Sequence, residues 1–467
     1  MLDFKVKIGL VPIVRDLFDF ATRKGIFEPA KGVENKDKVL PFIYKNFADE
    51  QTEFCDLAWL NDLGVLYKNT DVDAVCDYFK KEKVDAIFLI NCNFGNEEAC
   101  GQLAKKLGVP VLLWGPQDTV FEENGQRYTD CQCGLFAISK QLRRYHVPFT
   151  YIENCPVEAD VFFEGVKKFI SVVTMVKNFK DLRITQVGTR LTPFKSVMYN
   201  ELELTEKFGF NLNNYNMAQF ADKFNKALAS KAGELVMDLD KLKKDYDVAG
   251  LDDETLTRML AFVYTYIEVF NETDADVLAS ECWTSMPLAF NANPCLAMSI
   301  LYDLGYPVAC ESDIHGAITS ALLLCASRGA HKPTFGEFTV RHPENPNAEL
   351  LWHCGPFPYS VKDPSSNARL FNTKPSFKAK DGDYTIARFQ ADAGKYTLLC
   401  GEYKTCEGPL TFGTYMWAEF KNWPKLEKKL IEGPYIHHMV EAYGKYADLM
   451  EEFCKYIPEL TFDPLED

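Results

Sequence analysis

Several familiar signatures are missing from this chain, and each absence narrows what it does. No stretch reaches the roughly eighteen consecutive apolar residues of a membrane-crossing helix. The opening residues, MLDFKVKIGLVPIVRD, lack the basic start, long apolar centre and small-residue cleavage site of a secretory signal. A soluble, cytoplasmic protein with no membrane partner is expected. There is no basic stripe to track a phosphate backbone: the formal charge is −16, spread along the chain, so nucleic acid is not an expected partner. The run VGTRLTP offers a single glycine and no GxGxxG, which argues against a dinucleotide site. No CxxC pair occurs among the fifteen cysteines, most of which sit in apolar runs such as LLLCAS, so they read as small buried hydrophobes and not as a disulfide or zinc framework. Histidine is scarce, with seven in the chain, and no fixed-period repeat occurs.

What is present is ordinary globular material, 467 residues with 47% apolar and 25% charged side chains, enough for two or three domains. Residues 5–11, 84–91, 109–114, 133–138 and 149–153 are short runs rich in Val, Ile and Phe that predict strands, several of them separated by helix-like stretches such as NEEACGQLAKKLG. Alternating strands and helices imply a parallel sheet wrapped by helices, here a domain over 1–157. A second α/β domain is expected over 158–304. Its helix at 252–270 carries acids in the first turn, where the helix dipole favours them. Beyond it, 305–467 turns to strand-like runs, including a hairpin in TIARFQADAGKYTLLCGEYK, and closes with a helix at 445–457. The expected fold class is α/β, with two doubly wound parallel-sheet domains followed by a β-rich, barrel-like C-terminal domain.

One junction stands out chemically. ACESDIHGAITSALLLCASRG, residues 309–329, crowds Glu311, Ser312, Asp313 and His315 between a strand-like and a helix-like run. Ligands of parallel α/β sheets bind beyond the carboxyl ends of strands. Glu281 ends one expected strand, and Glu311 and Asp313 end the next; as sheet neighbours these ends lie ~5 Å apart. Two ionised acids so close repel unless a cation sits between them, and carboxylates with an imidazole suit Mg²⁺, Mn²⁺ or Co²⁺. The competing reading is structural, with Ser312 or Asp313 capping the helix that follows. His353, inside LLWHCGPFP, fits a core residue and a site residue equally. His437 and His438 are adjacent in an extended run whose neighbours face opposite ways, so at most one points at a cation. Asn91, Trp114 and Gln117 fall at strand ends of the first domain, where amides and an aromatic face suit a sugar, although turns use Asn for backbone reasons too.

The order of SECW, CESDIHGA, WHCG and HHMVEAYG resembles the L-fucose isomerase and L-arabinose isomerase superfamily, nearer its L-fucose isomerase branch, over most of the chain. The resemblance implies an enzyme: a metal-dependent aldose–ketose isomerase that holds Mn²⁺, or Mg²⁺ or Co²⁺, and moves a proton through a cis-enediol. It implies Glu281, Asp313 and His438 as metal ligands, with Glu281 and Asp313 sharing the proton transfer. It also implies Arg15 and His353 as substrate contacts, and a homo-oligomer, hexamer or trimer, with the site at a subunit boundary. The chain is shorter than typical L-fucose isomerases, so the sugar pocket is open to change. The alternative substrate is a modified hexose such as a 6-deoxy-6-sulfo sugar, for which Arg15 and Arg190 are the candidate cations; the alternative outside enzymes is a non-catalytic sugar-binding protein.

Overall fold

Strands buried on both faces are largely apolar, and the three central strands of the first sheet show it while its two edge strands are partly exposed. β1 (Val6–Ile13), β2 (Thr52–Cys55), β3 (Ala86–Asn91), β4 (Val111–Trp114) and β5 (Thr150–Tyr151) form an all-parallel sheet in the order β2-β1-β3-β4-β5. This is seen in a computed structural model that describes residues 1–15, 29–121, 123, 125 and 127–466. Contacts divide the chain into two units: 4–177, and 178–467 together with the first three residues. In the first unit the helix Glu97–Leu107 is bounded by local chemistry. The Asn96 side chain accepts from the N–H of Ala99, and Gly108 closes the helix in the left-handed region. Residues 133–138, expected as a strand, lie instead in the helix Cys131–Arg144. The buried positions there, Cys131, Gly134, Leu135, Ile138 and Leu142, recur at helical spacing, while Phe136 points to solvent. A short apolar run could not separate the two periods.

In the second unit β6 (Arg183–Val187), β7 (Asn211–Tyr215), β8 (Val277–Ser280) and β9 (Val308–Ala309) make a second parallel sheet in the order β7-β6-β8-β9. Its last strand lies past residue 304, so this sheet and the β-rich region share the stretch that follows. The helix Asp253–Thr273 begins with Asp252 accepting from the N–H of Thr255.

Nine further strands follow: β10 (Thr334–Arg341), β11 (Ala348–His353), β12 (Arg369–Phe371), β13 (Lys374–Lys378), β14 (Asp383–Asp392), β15 (Lys395–Cys406), β16 (Thr414–Glu419), β17 (His438–Tyr443) and β18 (Leu460–Pro464). Their order is β12-β13-β16-β11-β10-β17-β14-β15-β18, and an extra pairing of β15 with β16 closes β16, β11, β10, β17, β14 and β15 into a ring. Closure removes edges within the ring and leaves β12 and β18 as the outer strands of the sheet. The helix Ile314–Ala326 is buried along its whole length and packs on β8, β14 and β17, which is why its sequence is apolar all round. That helix joins the parallel sheet to the ring, and the junction singled out in the sequence sits at its N-terminus. No helix among the described residues is long and apolar enough to cross a membrane.

Candidate active site

After β9 the chain makes an unusual turn. Glu311 and Ser312 both take left-handed backbone, with φ of 61° and 58°. Such conformations cost of order 1–3 kcal/mol each for residues other than glycine and collect at functional sites. Asp313 then returns to extended backbone and caps the helix Ile314–Ala326, accepting from the N–H of Gly316 at 3.0 Å. The two acids of ESD are thereby given separate tasks.

Asp313 is committed to structure. The Arg388 guanidinium, fully buried on β14, grips it through Nη1 and, at 3.1 Å, Nη2, while Nε of Arg388 is held by Gln390 at 3.1 Å. Burial pushes the Asp313 carboxyl up, yet Arg388 and His438 hold it well below the usual carboxylate range. A carboxylate that is always ionised fixes the tautomer of its imidazole partner: Nδ1–H of His438 donates to Asp313 Oδ2 at 3.0 Å, leaving Nε2 as a lone pair.

That lone pair points at other acids. His438 opens β17, directly opposite Glu337 on β10. Its Nε2 lies 3.1 Å from Glu311 Oε2 and 3.9 Å from Glu337 Oε2. Neither Nε2 of His438 nor Oε2 of Glu311 has a hydrogen-bond partner, although both are buried. Two acceptors facing each other at this distance require positive charge between them, either a proton on the ring or a metal ion. Burial opposes charging His438, but Asp313 and Glu311 outweigh it and raise its pKa. Burial also pushes up the Glu337 carboxyl. Oxygen and nitrogen ligands of an ion such as Mg²⁺, with bonds of ~2.1 Å, sit ~3 Å apart. Both acids approach Nε2 of His438, and two sets, Glu311 with His353 and His438 and Glu337 with His437 and His438, bring ligand atoms within 4.8 Å of one another as a divalent cation needs.

His353, at the end of β11, has a buried and unpartnered Nε2 and joins Glu311 and His438 in a group whose ligand atoms lie within 4.8 Å of one another. Its Nδ1 accepts from the Cys354 N–H at 2.9 Å, so in the neutral ring Nε2 carries the proton and is a donor. Glu311, Glu337 and His353 line a cleft of about 590 Å³ with Trp283, Trp352 and Lys374, inside the ~300–1,000 Å³ range of small-ligand sites, and His438 lies buried behind them. His437, half exposed with Phe194 packed 5.9 Å from its ring, also reaches this region: its Nε2 lies 3.6 Å from Glu337 Oε2, and it groups with Glu337 and His438, so both neighbouring histidines face the acids where at most one was expected to. His315 is buried against Phe389, and burial and Arg388 push it down to about 3, a neutral structural ring.

Both acids expected as ligand and base make hydrogen bonds within the protein. Glu281, expected as ligand and base, spends its oxygens elsewhere: Oε2 accepts from the Thr189 N–H at 2.9 Å and Oε1 from the Thr284 hydroxyl at 2.7 Å. Burial raises its pKa, but these donors and Ser285 outweigh that and lower it. Gly188 makes room for it, since a Cβ there would come within 2.6 Å of Oε2. Glu281 joins none of the groups of converging ligand atoms among the described residues. Asp313, the other expected ligand and base, is occupied by Arg388 and His438. The carboxylates that converge are Glu311, which the sequence reading gave to shaping the turn, and Glu337, which it missed.

The remaining expected contacts lie on the first unit. Trp114 and Asn91 are fully buried in its core, Trp114 packing 4.4 Å from Phe162 and Asn91 donating to the Cys131 carbonyl at 2.9 Å, so neither offers a face to a sugar there. Gln117 is exposed. Arg15 is half-buried, its guanidinium 4.6 Å from the centre of the Phe94 ring. On the second unit, Arg190 is spent on the carbonyls of Leu191 and Phe194 at 3.1 and 2.9 Å.

The chain is similar to known proteins in both halves. The family model for the N-terminal domain of fucose/sulfoquinovose isomerase matches residues 20–180. The sulfoquinovose isomerase of Priestia megaterium is 26% identical over 398 residues, covering 83% of this chain and 87% of its own. The sulfoquinovose isomerase of Alkalicoccus urumqiensis is 26% identical over 335 residues, covering 70% and 74%. Residues 20–180 thus match the fucose/sulfoquinovose isomerase model and the relatives along most of the chain are sulfoquinovose isomerases, which supports the resemblance to the L-fucose isomerase superfamily and an aldose–ketose isomerase reading of the carboxylate–imidazole cleft.

Proposed function

We propose that the sugar interconverted here is a sulfonated hexose of the sulfoquinovose type, and that a divalent cation, Mn²⁺ or else Mg²⁺ or Co²⁺, is held by Glu311, Glu337 and Nε2 of His438. The observation that carries the reading is the approach of Glu311 Oε2, at 3.1 Å, and Glu337 Oε2, at 3.9 Å, to the buried and unpartnered Nε2 of His438, beside a sugar-sized cleft that both glutamates line. The substrate reading draws on the relatives, which are sulfoquinovose isomerases, and this favours a 6-deoxy-6-sulfo sugar over L-fucose itself.

Aldose–ketose interconversion moves one proton between C1 and C2 while charge builds on the neighbouring oxygens. Bound at this site, the cation would supply Lewis-acid polarisation of the sugar oxygens. Glu337, whose carboxyl pKa burial raises above the usual carboxylate range, takes the proton from one carbon and returns it to the other. Glu311 faces it across the cation-binding group. The Nε2–H of His353 donates to the sugar oxygen where negative charge develops. Asp313 and Arg388 keep the His438 lone pair aimed into the cleft. Trp283 and Trp352 wall the cleft and exclude water from the enediol. The same reading has the enzyme act as a homo-oligomer in which Arg15 reaches a sugar held by another subunit, which light scattering tests.

The deciding experiment incubates Mn²⁺-loaded protein in D₂O with sulfoquinovose, L-fucose and glucose, followed by NMR. Ketose formation with deuterium at C2, fastest for sulfoquinovose, is expected. No exchange with any aldose under Mn²⁺, Mg²⁺ or Co²⁺ would sink the reading.

A further inference from the structure

A sulfonated sugar needs a cation to receive its fixed negative charge, and neither arginine named from the sequence supplies one in this cleft. Arg190 is bound to two backbone carbonyls, and Arg15 belongs to the first unit. Resting on the reading above, we propose that Lys374 is the residue that recognises the sulfonate and so sets the specificity of the enzyme for anionic sugars.

Three observations point there. Lys374 lines the same cleft as Glu311, Glu337 and His353. It is half-buried and opens β13, yet no carboxylate among the described residues pairs with it, unlike Lys378 at the other end of the same strand, which reaches Asp381 at 3.0 Å and Glu407 at 3.2 Å. A partly desolvated ammonium without a counterion is a standing invitation to an anion. The backbone that presents it is also rigidly set. Phe371 pairs with Lys374 across a two-residue turn, and both turn residues, Asn372 and Thr373, are left-handed, with φ of 48° and 66°. Mirror-image turns of this kind normally use Asn-Gly, and a β-branched threonine at positive φ is strained. Asn293 pins that threonine by donating to its hydroxyl at 2.6 Å. The turn is held against its own preference in the position that delivers Lys374 and Asn372 to the cleft.

The competing partner for Lys374 is sulfur. Cys354 also lines the cleft, 3.5 Å from Cys295, and could be the anion that the lysine serves. The two roles separate cleanly in experiment. Metal-loaded full-length wild type, Lys374→Met and Lys374→Arg are compared on sulfoquinovose and glucose, with binding read by calorimetry and turnover by ketose formation. The expected result is a fall of about 10- to 100-fold in the sulfoquinovose-to-glucose preference for Lys374→Met, carried by KM more than by kcat, with partial recovery in Lys374→Arg. An unchanged preference, an equal loss on both sugars, or slower iodoacetamide labelling of Cys354 with preference intact would overturn the assignment. A wild type that binds sulfoquinovose through Lys374 but turns over nothing would keep this inference and remove the isomerase reading. A wild type that isomerises with a preference indifferent to Lys374 would do the reverse, and a wild type that fails to bind sulfoquinovose would remove the inference.

Discussion

Two glutamates follow neighbouring strands of one parallel sheet, Glu281 after β8 and Glu311 after β9, and they end in opposite chemical states. Both are buried. Around Glu281 the loop at Gly188 and Thr189 and the start of the next helix offer an N–H and hydroxyls, so the carboxylate is a satisfied anion. Around Glu311 the left-handed turn strips away such donors and aims Oε2 at an imidazole lone pair. A buried carboxylate with its hydrogen bonds made is a structural brace, whereas one left facing an acceptor is a socket for positive charge. Position at a strand end does not separate the two; the donors that the rest of the chain supplies do.

The contrast breaks most visibly in catalysis. Glu311→Gln and Glu337→Gln are each expected to lower ketose formation by about 10²- to 10⁴-fold and to reduce bound Mn²⁺ per chain by elemental analysis. Glu281→Gln keeps the metal and instead lowers stability. Loss of Mn²⁺ from Glu281→Gln with Glu311→Gln still loaded would exchange their roles.

Next in size is the pair beneath the site. Arg388→Met leaves Asp313 charged and alone in the interior, and urea unfolding should show a loss of about 3–5 kcal/mol. A loss under 1 kcal/mol would mean that Asp313 is not held by that guanidinium.

The smallest effect concerns a third buried acid. Glu349 on β11 has an unpartnered Oε2, like Glu311, but no imidazole nearby is bonded to it, and burial, with Glu427, pushes it up to about 7. A carboxyl raised in the folded state costs stability as it ionises, so the loss develops from pH ~4.5, the ordinary carboxylate value, to about 7 and is constant above. Glu349→Gln should therefore match wild type at pH 4 and exceed it by about 1–2 kcal/mol at pH 8. Equal differences at both pH values would show that Glu349 is not the titrating group.

Much of the fold was legible because its causes are local. Central parallel strands are apolar on both faces, helix starts carry Asn or Asp caps at Asn96 and Asp252, and the β14–β15 hairpin turns at Ala393 and Gly394, both at positive φ. The run 133–138 misled because a six-residue apolar stretch has no period of its own. In the site, the histidine pair and the ESD motif announced themselves. That Glu311 lines the cleft while Asp313 is bonded to Arg388 and His438 follows a turn of two consecutive left-handed residues, which no pattern of polarity records.

What the residues determined by themselves was the inventory: two α/β layers, a β-rich end, a histidine for the cleft, and acids gathered at one junction. Which acids meet was left to tertiary structure. Glu337 reaches His438 through the antiparallel register of β10 and β17, Arg388 arrives from β14 across the ring, and Lys374 from the edge hairpin. Partners so far apart in sequence are joined only when the sheet closes, and closure is a property of the whole hydrogen-bonded ring.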